Sequence, residues 1–221
     1  MTNISEKQRL INGIFFPVLF ISVLWIIMFM QQLFGISFSD FGLMPRTVNG
    51  LWGILLSPLI HGGFSHLISN TMPLLLMGFI VFYFYRGIAF RVFFLVYIMT
   101  GIWVWAAGRH AYHIGASGLV YGFASFIFFS GVFRWDPRLL GLSLLVLMLY
   151  HGMIWGVLPV FEDISWESHL LGSFAGILVA YSYRKEGPKP VKYSWEESEE
   201  EETDPEQGDE MWTNDEDDTR M

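Results

Sequence analysis

Six stretches of this chain run apolar for about the length of a bilayer crossing, and short polar or basic segments separate them. A helix rises about 1.5 Å per residue and the hydrocarbon core is about 30 Å thick, so a crossing takes about 20 mainly apolar residues. Residues 11–34, 66–85, 90–107, 117–133, 139–160 and 169–183 fit that pattern, with Arg86, Arg109, Arg134, Arg138, Arg184 and Lys185 marking their ends. The first stretch follows Lys7 and Arg9, is long for a signal peptide and has no small-residue cleavage site behind it, so it reads as retained. Residues 35–65 are not a plain polar loop. Leu51, Trp52, Ile54, Leu55, Leu56, Leu59 and Ile60 make an apolar run too short to span, which reads as lying in the outer interface with Trp52 at headgroup depth. There is no fixed-period repeat. The pattern predicts an all-α, polytopic membrane protein with six transmembrane helices.

Composition agrees. Of 221 residues, 53% are hydrophobic and 15% charged, against roughly 25% charged in an ordinary soluble domain. The absence of cysteine excludes a disulfide scaffold, a thiolate metal site and a cysteine nucleophile. Thirteen Lys and Arg against 21 Asp and Glu exclude a nucleic-acid partner. The formal charge of −8 is uneven: residues 196–221 hold fourteen acids and one base, so the rest of the chain is net positive.

That basic body sets the expected orientation. With the N-terminus in the cytoplasm, Lys7, Arg9, Arg86, Arg91, Arg134, Arg138, Arg184, Lys185, Lys189 and Lys192 fall inside and only Arg46 and Arg109 fall outside. By the positive-inside rule both termini are cytoplasmic. The expected parts are a cytoplasmic N-terminus (1–10), a membrane domain (11–185) and an acidic, disordered cytoplasmic tail (186–221). The tail reads as plainly solvated, or, through Trp195, Met211 and Trp212, as a docking motif for a cytoplasmic partner. No organelle signal precedes the first stretch, so a bacterial inner membrane is expected.

The fourth stretch carries the main clue to chemistry. Residues 117–133 number 17, a helix of roughly 25 Å. Arg134 pins its inner end, so its outer end starts several Å below the surface. Residues 109–116 must then dip inward as irregular backbone, which survives at that depth only if buried in protein or lining a water-filled cavity. The result is a submerged, water-reachable helix N-terminus carrying Ser117. His66 and Asn70, four apart at the outer end of the second stretch, share a face, and His169 opens the sixth. All four polar groups are expected at one depth on the outer side. Gly118-x-x-x-Gly122 follows Ser117, and Gly172-x-x-x-Gly176 follows His169 on its own face. Small residues at this spacing let helix backbones approach closely. If the fourth and sixth stretches cross there, Ser117 Oγ and the His169 imidazole come within hydrogen-bond reach, and Tyr121 is placed to pack on the ring.

Each residue alone has a plainer reading. A membrane serine commonly bonds back to the carbonyl four residues earlier, and membrane His and Asn often serve as packing glue. His61, His110, His113 and His151 are assigned to structure or interface. There is no His-Glu-x-x-His, no aspartate inside a stretch and no nucleophile elbow, since Leu119 stands where that motif needs glycine. No metal or cofactor is expected. Glu167 is two residues from His169 and on a helix points elsewhere, so a Ser–His dyad is expected rather than a triad. A catalytically silent helix-binding chaperone or scaffold, and a small transporter, are the competing readings. The intact Ser117 and His169 disfavour the first, and clustering of the polar groups at one depth disfavours the second.

Three motifs together bear a family resemblance. His61-Gly-Gly-Phe-Ser-His66-Leu-Ile-Ser-Asn70, Gly115-Ala-Ser117-Gly118 and His169-x-x-Gly172-x-x-x-Gly176, in that order over about residues 10–185, resemble the rhomboid intramembrane serine proteases. The resemblance implies Ser117 as nucleophile, His169 as general base, and His66, Asn70 and the Ser117 backbone N–H as the oxyanion hole. It also matches Tyr121 to a tyrosine stacked on the catalytic histidine and Gly115 to the glycine of the submerged loop. It implies substrates that are transmembrane proteins, cut on the outer, periplasm-facing side of the bilayer after a small residue. Many members have an adjacent Trp-Arg pair in the first outside segment, whereas here Arg46 and Trp52 are separated.

Overall fold

The structure, a computed structural model, describes residues 5–149, 153–160 and 164–188. They belong to one compact unit, Met1–Pro188. His151 and the acidic tail, with Trp195, Met211 and Trp212, lie outside the described residues.

Helix α1 (Glu6–Phe34) starts earlier than the apolar pattern because Ser5 caps it: its Oγ accepts the Gln8 N–H at 3.3 Å. It ends at Gly35, which takes a left-handed φ of 62°. Segment 35–63 then folds into 3-10 turns at Ser39–Phe41, Asn49–Leu51 and Ser57–Leu59 around a four-residue helix α2 (Gly53–Leu56). Trp52 is 69% exposed, as suits a side chain at an interface. Helices α3 (Phe64–Phe84), α4 (Ala89–Ala107) and α5 (Ser117–Arg134) follow. Then come α6 (Pro137–Leu149), the single turn α7 (Met153–Gly156) and α8 (Trp166–Ser182).

Among the described residues four helices, α1, α3, α4 and α5, are long and apolar enough to cross a membrane. Phe15, Ile26 and Phe29 on α1 are each more than half exposed, which water would penalise and lipid tails would not. The stretch 139–160 is not one helix. Pro159 disfavours helical backbone at Leu158, and the chain turns there after α7, with the Leu158 N–H donating to the Trp155 carbonyl at 3.2 Å. Helix α8 begins a turn before His169, so that residue lies inside the helix rather than at its end.

Helix α5 is the centre of the bundle. Its Phe123, Phe126 and Ile127 are fully buried among Leu74, Met77 and Val81 of α3 and Val92 and Val96 of α4. Trp25 Nε1 of α1 donates to Thr71 Oγ1 of α3 at 3.2 Å. At the C-terminal end of α5, Tyr85 shares a 2.8 Å hydrogen bond with Ser130, and the Arg134 guanidinium donates to the carbonyls of Arg184, Glu186 and Pro188 beyond α8. The Arg134 contacts tie the C-terminal end of α5 to the segment that follows α8.

Candidate active site

Helices α5 and α8 touch along their glycines. A Cβ on Gly172 would fall onto the Gly118 carbonyl oxygen, and one on Gly176 onto that of Gly122. Only hydrogen fits between the backbones, so the axes approach as closely as two helices can. Just outside this contact sit Ser117, first residue of α5, and His169, one turn into α8.

The structure brings these two side chains together: His169 Nε2 lies 2.7 Å from Ser117 Oγ. The other ring nitrogen, Nδ1, lies 2.8 Å from the Gly156 carbonyl oxygen. A carbonyl only accepts, so Nδ1 carries the proton and Nε2 presents its lone pair to the serine hydroxyl. That is the tautomer a general base needs. Tyr121 stacks on the imidazole, centroids 4.1 Å apart and planes 9° from parallel. A side chain at Gly156 would overlap the Tyr121 hydroxyl and stand 3.0 Å from Nδ1.

The loop before Ser117 is held largely by backbone bonds. Leu43 and His113 form an antiparallel bridge, and the Gly115 N–H donates to the Ser57 carbonyl at 2.8 Å. The Ala116 N–H donates to His61 Nε2 at 3.4 Å. Gly115 has φ 107°, and a Cβ there would lie 2.7 Å from the His66 ring. Conformation and space both demand glycine.

His66 and Asn70 reach the same cavity from α3. It measures about 820 Å³ and is lined also by Ser117, Tyr121, Gly156 and His169. Asn70, 4% exposed, donates one Nδ2 hydrogen to the His66 carbonyl at 2.9 Å, and the second hydrogen of that amide remains for a ligand. The first backbone N–H groups of α5 have no partner within the helix, and the helix dipole makes that end favourable to an anion. The cavity therefore combines a hydroxyl hydrogen-bonded to an imidazole with donors suited to a negatively charged oxygen.

Residues 48–186 match the Rhomboid domain. The chain belongs to the rhomboid family. An uncharacterized protein of Mycobacterium tuberculosis is 32% identical over 194 residues, covering 81% of this chain and 79% of its own length. One from Mycobacterium leprae is 31% identical over 192 residues, covering 81% and 75%. A Bacillus subtilis protein named "Putative rhomboid protease" is 28% identical over 145 residues, covering 61% of this chain and 69% of its own. A rhomboid domain preceded by the apolar α1 makes this an integral membrane protein.

Within the rhomboid domain, the remaining candidates fall into place. Glu167 is buried but faces Arg109, whose backbone N–H donates to its Oε1 at 3.2 Å, so it does not orient His169. His61 packs edge-on against His66 at 5.0 Å, His113 bonds Ser165, and His110 is exposed. Among the described residues, no three His, Cys, Asp or Glu side chains converge as metal ligands would. Arg46 donates to the Gly108 carbonyl at 2.8 Å, anchoring segment 35–63 to the end of α4. Sequence reasoning missed the Gly156 carbonyl, because a backbone acceptor has no side-chain signal.

Proposed function

We propose that this rhomboid-family protein is an intramembrane serine endopeptidase that hydrolyses peptide bonds in or near the transmembrane segments of other membrane proteins. One observation carries the reading: Ser117 Oγ donates to a histidine nitrogen whose tautomer is set by a carbonyl on the ring's far side. A purely structural serine has no need of that arrangement.

In this reading Ser117 Oγ attacks the scissile carbonyl carbon while His169 Nε2 takes its proton. The carbonyl oxygen becomes an oxyanion, received by the Ser117 N–H, the Asn70 amide and His66. The C–N bond then breaks, the imidazolium returns the proton to the leaving amine, and an acyl-enzyme remains on Ser117. Water, deprotonated by His169, hydrolyses the ester and restores the serine. No metal or cofactor takes part.

The setting proposed is a bundle of six crossings within residues 11–185, with both termini cytoplasmic and the cavity open to the periplasm across a bacterial inner membrane. The bias of basic residues supports that orientation. A peptide bond within a helix is shielded, so the substrate is a span that unwinds near its outer end.

The test is labelling by a fluorophosphonate. The purified protein in detergent is expected to react at one serine, and Ser117→Ala and His169→Ala to abolish the reaction and the cleavage of a single-span substrate. Unchanged labelling in folded Ser117→Ala protein would overturn the assignment, and with it the choice of an enzyme over a silent helix-binding member of the family.

A further inference from the structure

The glycine contact fixes the bodies of α5 and α8 but not their outer ends. His169 stands three residues beyond Gly172, a lever of about 4.5 Å. Ser117 terminates an irregular loop, which is softer than the helices it joins. Misplacement of a reacting group by about 1 Å can cost on the order of 10²-fold in rate. Something must hold that loop against the first turn of α8.

Two sets of contacts span that gap. Arg109 opens the loop, and Glu167 lies in the first turn of α8. The Arg109 backbone N–H donates to Glu167 Oε1 at 3.2 Å, its Nε lies 3.6 Å from the same oxygen, and its Nη2 donates to the Ile164 carbonyl at 2.9 Å. Glu167 is 5% exposed, so the carboxylate is committed to this contact. Four residues along the loop, His113 Nε2 lies 3.1 Å from the Arg109 carbonyl. That carbonyl only accepts, so Nε2 carries the proton and Nδ1 is an acceptor. Ser165 Oγ then donates to Nδ1 at 2.5 Å, and Ser168 Oγ donates to Ser165 Oγ at 2.6 Å. Every α8-side partner lies between residues 164 and 168, immediately before the base.

We propose that Arg109 and Glu167, with His113 and Ser165 beside them, form a positioning clasp that holds the loop ending in Ser117 and the helix carrying His169 in hydrogen-bonding register. Arg109, His113 and Ser165 also line the edge of the cavity that holds Ser117 and His169, and the role proposed for the clasp is positional: it acts through the dyad. It rests on reading Ser117 and His169 as that dyad.

The experiment measures the second-order rate of fluorophosphonate labelling, kcat and KM on a single-span substrate, and the unfolding midpoint. It compares the full-length wild type with Glu167→Ala, Glu167→Gln, Arg109→Ala and the double alanine variant. Labelling by the small probe is expected to fall about 10- to 100-fold in Glu167→Ala, with kcat falling alike and KM unchanged. Glu167→Gln keeps an oxygen for the Arg109 N–H and is expected to recover to within about fivefold of wild type. The double variant is expected to be no slower than Glu167→Ala, since the two residues act as one unit. If Glu167→Ala does not fold, Arg109→Ala and Glu167→Gln decide by the same rates. Folded clasp variants that label at the wild-type rate would overturn the clasp and leave the dyad standing. Loss that tracks the unfolding midpoint, with no rescue by glutamine, would do the same. A wild type that shows no Ser117-dependent labelling would overturn the dyad and the clasp together.

Discussion

Tyr121 and His169 lie face to face, 4.1 Å between ring centroids and 9° from parallel. Tyr121 is one turn along α5 from Ser117, so one helix supplies both the hydroxyl and the surface on which the imidazole rests. The stack restrains the ring out of its plane, and the Gly156 carbonyl restrains it within the plane. Tyr121→Phe, which keeps the aromatic face, is expected to retain most of the turnover. Tyr121→Ala is expected to lower kcat by about 10²-fold, because a freed imidazole loses its alignment. Single-turnover rates of the two variants check this; equal losses would assign the effect to the phenol hydroxyl.

Asn70→Ala removes a donor from the cavity and leaves Ser117 and His169, the proposed nucleophile and base, in place. One oxyanion-hole donor is typically worth about 10²–10³-fold in kcat. A loss of that size is expected here and in His66→Ala, with KM nearly unchanged. Near-wild-type rates in folded protein would remove these side chains from the oxyanion hole.

Glycine positions at the α5–α8 crossing are expected to be intolerant in a site-specific way. Gly172→Ala places a methyl group on the Gly118 carbonyl oxygen, and overpacking of this kind costs about 1–3 kcal/mol. Gly141→Ala in α6 meets nothing within 4 Å and is expected to be neutral or stabilising by up to about 1 kcal/mol. The unfolding midpoint should fall in Gly172→Ala and hold or rise in Gly141→Ala, with only the first variant losing activity.

Acid should weaken the folded state through His61. Burial, with the charge of His66 second, holds this imidazole down from 6.5 to about 4. The unfolded chain takes up the proton first as pH falls, so the stabilisation is complete above about 6.5 and drains away between 6.5 and 4. A shift of that size corresponds to about 3 kcal/mol. Burial also lowers His113, which adds in the same direction. His61→Gln retains an acceptor for the Ala116 N–H without titrating, and is expected to flatten the dependence of the unfolding midpoint on pH across that window.

Much of this arrangement was legible in the residues themselves. The period of apolar runs gave α4 and α5 nearly to the residue, because lipid imposes both length and polarity on a crossing. Facing glycine pairs announced the contact that brings Ser117 to His169. Less visible was the break near Pro159, hidden inside a run as apolar as its neighbours. Hardest to read were partners that depend on backbone: the Gly156 carbonyl behind His169, and the Arg109 N–H on Glu167. Glu167 stood out in the sequence only as an acid too poorly aimed to serve His169, and its own partner lies 58 residues away.

The peptide oxygen behind His169 has an electrostatic consequence. Burying a carboxylate behind this ring would carry a desolvation penalty of several kcal/mol, whereas a dipole selects the tautomer with no ion to dehydrate. The reacting groups are thus electrically neutral at rest. In the proposed hydrolysis, opposite charges arise only as bond-making begins, on the ring and on the scissile carbonyl oxygen, and each is then the other's counterion until both disappear.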